Sequence, residues 1–365
     1  MQGDQVIPFN KKQRRGRGAT ANPDSRFESE ERNFIDDGWN SSVTEHDTNR
    51  LRTTVTLEHP KSIISKNTSP DLPFDQSVNA YRGCEHGCIY CYARPSHAYM
   101  NLSAGLDFET RLFAKPNAAE LLAAEISRPA YRCRPIALGT NTDPYQPIEK
   151  NLEITRRIIE FLAEVRHPFT ITTKSDLVLR DLDILAPMAK DNLVSIGISV
   201  TTLDNRLSHV MEPRASAPHK RLKAIQALSN AGIRTLVQAS PVIPGLNDQE
   251  LEQILSAARD KGAESAIYLL LRLPREVASL FESWLVEHFP DRASKVMKLV
   301  RSTREGKDYD PEFGTRMVGT GPYAALINKR FHLACRQLGF SGSKYDLATD
   351  LFIKPGRDRR QMSLF

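Results

Sequence analysis

The sequence predicts an α/β protein: a partial parallel (β/α)6 barrel with a mostly helical C-terminal extension and disordered termini. Three observations predict it. Short β-rich runs alternate with helical stretches of amphipathic period. Six such units follow one another, and a strand–helix–strand series builds a parallel sheet with helices outside it. Both ends of the 365-residue chain are charged, rich in Gly, Pro and Ser, and poor in apolar residues, so they bury too little surface to offset chain entropy.

Strands are expected near 77–81, 135–139, 168–173, 193–200, 233–239 and 265–271, where β-branched and apolar residues cluster. Helices are expected near 89–100, 117–127, 151–165, 178–190, 216–231 and 248–261. Asn247 or Asp248 is placed to cap the last of these, and Asn230-Ala231-Gly232 closes the helix before it. Six units rather than eight leave the barrel open or partial. After about residue 275 the pattern turns helical, broken by a loop-like stretch over 305–323. The chain therefore divides into a disordered segment over 1–50, a core over 70–275, an accessory region over 276–352 packed on the sheet or over its mouth, and a flexible tail over 353–365.

Hydrophobic residues at 40% and charged residues at 26% permit a sizeable core. No apolar run approaches the ~18 residues of a membrane span, and the basic N-terminus lacks the apolar stretch of a secretory signal. A cytoplasmic protein without membrane contact is expected. The net charge of +6 leans toward acidic partners such as nucleic acid. Five cysteines are too few for a disulfide scaffold, and three of them fall within eight positions.

Those three lie in Tyr81-Arg82-Gly83-Cys84-Glu85-His86-Gly87-Cys88-Ile89-Tyr90-Cys91-Tyr92. Thiolates suit iron–sulfur clusters or zinc. The C-x3-C-x2-C spacing offers three sulfurs, which on a four-iron cluster leaves one iron open to a substrate. The loop follows the first expected strand, and parallel α/β sheets place their sites at the carboxyl ends of strands. Gly83 and Gly87 permit a tight wrap, and Tyr90 is placed to shield a cluster or stack on a ring. Two alternatives stand beside the cluster: a closed zinc site in which His86 joins the three cysteines, and buried inert thiols.

The motif C-x3-C-x-aromatic-C after the first strand of a β-α barrel resembles the radical S-adenosylmethionine (radical SAM) superfamily, over roughly residues 70–275. The runs YRGCEHGCIYCYARPSHAY, TNTDPYQPIE and PVIPGLND are similar to the branch related to spore photoproduct lyase, often labelled DNA repair photolyase. The resemblance implies a 4Fe–4S cluster on Cys84, Cys88 and Cys91, with S-adenosylmethionine (SAM) on the open iron. It implies reductive cleavage of SAM to a 5′-deoxyadenosyl radical, and an electron donor such as flavodoxin or ferredoxin.

Strand ends then supply candidate SAM contacts. Thr142 and Asp143 suit the amino group, unless they cap the following helix. Lys174 suits the carboxylate, and the branch has a lysine here; a solvated loop lysine is the alternative. Ser199 and Thr201 share one face of the fourth strand and reach toward ribose or methionyl groups. Arg214 is a second carboxylate candidate, unless it pairs with Glu212. One departure stands out. Where the resemblance places a hydrogen-donating cysteine, this chain has Thr140. Cys133 lies seven residues too early to replace it, and Tyr145 or Tyr92 is left as a radical relay.

Basic residues cluster at both ends, from Lys11 to Arg17 and from Arg357 to Arg360, as tethers for phosphates or as solubilising tails. The last five residues, Gln361-Met362-Ser363-Leu364-Phe365, resemble the bacterial sliding-clamp-binding peptide, with Gln361, Leu364 and Phe365 as its anchors. The leading expectation is a radical SAM enzyme acting on nucleic acid, with DNA repair as its context. The alternatives are radical chemistry on RNA, a peptide or a small metabolite, and a non-catalytic Fe–S or zinc module that binds DNA and the clamp.

Overall fold

The computed structural model describes residues 14–28, 51–342 and 346–356. Its ten strands are β1 (Thr54–Leu57), β2 (Ile64–Lys66), β3 (Gln76–Val78), β4 (Tyr81–Arg82), β5 (Arg111–Ala114), β6 (Ile136–Leu138), β7 (Phe169–Thr173), β8 (Val194–Ser199), β9 (Arg234–Val242) and β10 (Ser265–Leu270). Six of them, β3 and β6 to β10, are parallel neighbours in chain order, and β2 pairs antiparallel with β3 at the far edge. Each β-α unit thus adds its strand beside the last, as the alternating pattern predicts. Leu138, Ile171, Ile196 and Thr235 stand in one row across the sheet. β8 is buried along its whole length because helices cover one face and the barrel interior the other. Its residues read VSIGIS, nearly continuous apolar and small.

The expected first strand divides in two. Residues 76–78 join the large sheet, while β4 turns away and pairs with β5, which also pairs with β1. This small sheet carries the chain into the cysteine loop. The helix expected over 89–100 forms only as a 3₁₀ helix, Arg94–Met100, because residues 84–93 are occupied by tight turns around the cysteines. Gly232 follows the helix Pro218–Asn230 as the sequence indicates. Asn247 gives no side-chain cap; it ties down the turn after β9 through Ile243 N, Thr201 O and Pro241 O.

The C-terminal layer comprises the helices Glu276–His288, Pro290–Ser302 and Gly321–Leu338. The first two bury Phe281, Trp284, Leu285, Met297 and Val300 in one cluster with Cys88, Ile89 and Tyr90, so this layer backs the cysteine loop. The Trp284 indole donates to Val210 O at 3.0 Å. The third helix covers β10 through Phe331, whose ring lies 4.7 Å from that of Tyr268. Residues 314–317 cross from β10 to the turn between β2 and β3. Leu270 N donates to Met317 O at 2.9 Å, Gly314 N donates to Asp71 Oδ1 at 2.8 Å, and Arg316 pairs with Asp71 at 2.7 Å.

The N-terminal expectation needs correction. Within the stretch assigned to disorder, residues 14–28 lie against the core, and Gly18, Ala19 and Ser25 are buried. They are held by Gly18 N and Ala19 N on the Glu109 carboxylate and by Ala19 and Ala21 against the apolar cluster of the loop, and residues this small leave little for composition to reveal. The clamp-like residues Gln361, Leu364 and Phe365 lie outside the described residues. Among the described residues no helix is long and apolar enough to cross a membrane.

Candidate active site

Because the six strands are parallel, their carboxyl ends form one rim, and the cysteine loop folds onto it. Cys84 and Cys88 are buried, Cys91 is half-buried, and all three are free thiols. The loop is shaped from both sides. On the rear, the fully buried Arg94 donates to Cys88 O at 2.9 Å, Gly87 O at 3.2 Å and Gly105 O at 2.9 Å, and pairs with Glu109 at 2.6 Å. On the rim side, the Gln146 amide accepts from Glu85 N at 2.9 Å and donates to Gly83 O at 3.2 Å. Gly87 has φ of +67°, and a Cβ there would meet the Glu109 carboxylate at 2.7 Å, so the loop needs glycine at this turn.

Asp143 is the knot of the rim. Its carboxylate accepts from Tyr145 N (2.9 Å), the Thr173 hydroxyl (2.6 Å) and Lys174 N (2.7 Å), and it faces His86 Nδ1 at 3.3 Å. Burial alone would raise its pKa, but His86 and these donors outweigh burial and bring it down to about 2. The acceptor sites of Asp143 are thus filled by the protein. Thr142 is turned inward, with its hydroxyl 3.4 Å from Tyr81 O.

A second buried network lines the loop's other flank. Glu212, 1% exposed, pairs with the buried Arg221 and accepts from the Tyr90 hydroxyl and from Thr201 at 2.7 Å. Arg221 also donates to Ser199 O at 3.2 Å and Ser216 O at 2.6 Å. Burial would raise the Glu212 pKa, yet Arg221 and Lys174 hold it below the usual carboxylate range. Ser199 bonds Gln238 at 3.3 Å, which bonds Thr172 at 3.1 Å. Lys174 lies with its ammonium 5.8 Å from the Tyr90 ring centre. Burial lowers its pKa, but a Cys88 thiolate and the Glu212 and Asp143 carboxylates raise it by more, so Lys174 is cationic beside a deprotonated Cys88.

The predicted residues therefore separate. Tyr90 and Thr201 meet at Glu212 with Lys174 near the Tyr90 ring, whereas the Ser199 hydroxyl turns to Gln238. Asp143 and Thr142 serve the rim itself. Arg214 pairs not with Glu212 but with Glu85, at 3.2 Å, because Arg221 already holds Glu212. Tyr145 is fully buried and donates to Asp181 at 3.0 Å, whereas Tyr92 is 47% exposed and donates to Thr140 O. The Thr140 hydroxyl bonds Asn79 at 3.0 Å.

Sequence reasoning missed Arg94, Glu109, Gln146, Arg221 and Gln238. Arg221 carried a readable signal. It occupies the buried stripe Arg221-Ala224-Ile225-Leu228 of its helix, where an unpaired charge would be untenable.

The thiols fit a cluster. Burial pushes Cys88 up to about 12 and Cys84 well above its usual value. Such thiols become ligands only against strong positive charge, which iron supplies. Among the described residues no three His, Cys, Asp or Glu side chains converge as a ready single-ion site, and His86 is engaged by Asp143. A four-iron cluster asks for no such convergence on one point, and Cys84, Cys88 and Cys91 would hold it.

Comparison with known proteins agrees with this geometry. The family profile described as the Radical SAM superfamily matches residues 78–258. An uncharacterized protein of Mycobacterium tuberculosis is 38% identical over 232 residues, covering 63% of this chain and 68% of that one. An uncharacterized protein of Methanocaldococcus jannaschii is 31% identical over 173 residues, covering 47% and 62%. Among solved structures, spore photoproduct lyase complexed with a dinucleoside spore photoproduct has a TM-score of 0.54 at 14% identity, covering 78% of this chain and 79% of that one. A mutant of that lyase with bound AdoMet and the same dinucleoside has a TM-score of 0.50 at 14% identity, covering 78% of each chain. At that identity the likeness speaks to the fold. Motif, rim and profile together establish that this chain belongs to the radical SAM superfamily, which uses a 4Fe–4S cluster and SAM.

Proposed function

We propose that the protein is a radical SAM enzyme that abstracts hydrogen from a nucleic acid. The observation that carries this reading is one rim where a three-thiol loop with no fourth cysteine meets a buried cationic and hydroxyl-rich flank. When bound, the cluster and SAM supply a carbon-centred radical, the chemistry of the cofactor rather than of the protein. The chain binds, orients and excludes water.

Lys174 is assigned to the SAM carboxylate, because it follows β7 at the rim with its ammonium 5.8 Å from the ring centre of Tyr90 in the cysteine loop. Tyr90 is held rigid by Glu212 and offers a ring beside that site. Ser199 and Thr201 act mainly by fixing Gln238 and Glu212. Thr142, Asp143 and Arg214 act as positioning residues for the rim and the loop.

Three observations support a nucleic-acid substrate. A solved protein of this fold is complexed with a dinucleoside lesion. The chain carries a net charge of +6. Just after β10, the Arg272 guanidinium lies 5.4 Å from the Tyr92 ring centre and 5.7 Å from that of Tyr309, an arrangement suited to a planar base. With Thr140 in place of a thiol, a repair reaction that ends on a cysteine hydrogen donor is unsuited to this site. Half-exposed Tyr92 is the better relay than buried Tyr145.

The test is anaerobic reconstitution, reduction, and measurement of 5′-deoxyadenosine with undamaged DNA, ultraviolet-damaged DNA and RNA. Stimulation by DNA is expected. Stimulation by RNA alone would keep a nucleic-acid substrate and move it from DNA to RNA, and stimulation by none of the three would overturn the nucleic-acid reading in favour of a peptide or small metabolite. A loaded protein that never cleaves SAM, or one holding stoichiometric zinc, would refute the enzyme. Recruitment to a sliding clamp through Gln361, Leu364 and Phe365 belongs to the same proposal. Equal clamp pull-down with and without these residues would remove it.

A further inference from the structure

Residues 17–19 run directly behind the cysteine loop. A Cβ on Gly18 would stand 1.8 Å from Gly87 O and 3.0 Å from Gly87 C, so only glycine lets the two backbones pass. Gly18 N and Ala19 N donate to the two oxygens of Glu109, at 2.9 and 2.8 Å. That carboxylate, fully buried, is the one paired with Arg94, which donates to Gly87 O and Cys88 O. The Arg17 guanidinium donates to Glu109 O at 2.9 Å, Leu51 O at 2.8 Å and the Thr53 hydroxyl at 3.0 Å. The links from the segment to the loop are these hydrogen bonds, the backbone contact at Gly18, and Ala19, which joins the apolar cluster of Cys88, Ile89 and Tyr90. A buried carboxylate with three donors has one geometry that satisfies it, so this lattice tolerates little displacement.

We infer that residues 17–19 are a strap belonging to the cluster cradle, with Glu109 and Arg94 as positioning residues that set how tightly the cysteine loop holds its iron. The strap closes the rear of the loop, and the loop's carbonyls are fixed through it. This rests on the reading that Cys84, Cys88 and Cys91 bind the cluster. Iron retention should therefore depend on residues more than sixty positions away from the motif.

The experiment uses the full chain, reconstituted anaerobically. Gly18→Ala and Arg17→Ala are compared with the parent and with Gly342→Ala, where an added Cβ meets nothing within 4 Å. Iron and sulfide per chain are measured, then the rate of iron loss to a chelator, alongside thermal melting of each apo-protein. Roughly 10-fold faster iron loss is expected for Gly18→Ala, with a smaller increase for Arg17→Ala and none for Gly342→Ala. Hydrogen exchange on the parent is a second measurement that needs no variant. The Gly18 and Ala19 amides should gain protection on reconstitution in parallel with residues 84–91. Parent-like iron loss in both strap variants, or strap amides that exchange equally with and without iron, would overturn the strap. A parent that takes up no iron would overturn the cluster reading itself, which is a different result.

Discussion

Arg94–Glu109 and Arg221–Glu212 are both buried ion pairs flanking the cysteine loop, yet they direct their remaining hydrogen bonds differently. The rear pair is closed on backbone: carbonyls of Gly87, Cys88, Ala104 and Gly105, and the amides of Gly18 and Ala19. In the front pair Arg221 also donates to backbone, at Ser199 O and Ser216 O, but its carboxylate partner Glu212 accepts from side chains, the hydroxyls of Tyr90 and Thr201, and the pair sets the field around Lys174. One pair fixes a shape and the other fixes a charge pattern. On the function proposed above, the rear pair serves the hold on iron and the front pair the hold on SAM.

The largest expected effect is on the loop itself. Cys88→Ala should take up no cluster, measured as iron and sulfide per chain, while far-ultraviolet circular dichroism stays native. Next come the ion pairs. Arg94→Met and Arg221→Met each leave a buried carboxylate unpaired, at a cost of about 3–5 kcal/mol in urea unfolding. Their cofactor phenotypes should diverge: iron loss for the first, weakened SAM binding with iron retained for the second. Identical phenotypes would dissolve the distinction between the two walls.

A buried group apart from both pairs is the control. His167 lies fully buried between Pro168 O and the Tyr131 hydroxyl, and burial lowers its pKa from 6.5 to about 4. Between those values the unfolded chain binds more protons. Stability is therefore complete above pH 6.5 and falls as pH drops toward 4, by about 3 kcal/mol from this residue. His167→Gln should flatten that part of the stability profile without altering iron or SAM binding. Lys174→Met should weaken SAM binding by about 10- to 100-fold in calorimetry, the loss of a charged hydrogen bond. The smallest effect is Arg214→Met. Its pairing with Glu85 is partly exposed and should be worth less than about 1 kcal/mol. If the Arg214 variant loses more affinity than the Lys174 variant, the carboxylate assignment moves to Arg214.

The parts of the molecule that sequence reveals are those built on local period. The six parallel strands are legible because runs such as VSIGIS must be buried on both faces, and the helices because their apolar residues recur every three or four positions. The edge strand β1 is not, since TVTL is exposed along its length. The cysteines and Lys174 are legible through motif and strand-end position. The residues that hold them are not. Glu109 meets Gly18 across 91 positions and Gln146 meets Glu85 across 61, and neither pairing leaves a trace in composition or period. The strap was hidden for the same reason: glycine and backbone amides do its work, and in sequence they look like a loop.

The crossing of residues 314–317 differs in kind from the seams of the sheet. Five parallel seams of the sheet are laced by strand pairing, and parting any of them breaks a ladder of backbone hydrogen bonds. The span from β10 to the β2–β3 turn is fastened by Arg316, Asp71, Ser69 and Gly314 N instead. Side-chain fastenings can release and re-form without unfolding a strand. The barrel is therefore held by two kinds of joint, backbone ladders along five seams and a side-chain clasp on Asp71 at residues 314–317, and Asp71→Ala would unfasten the second while leaving every strand pairing in place.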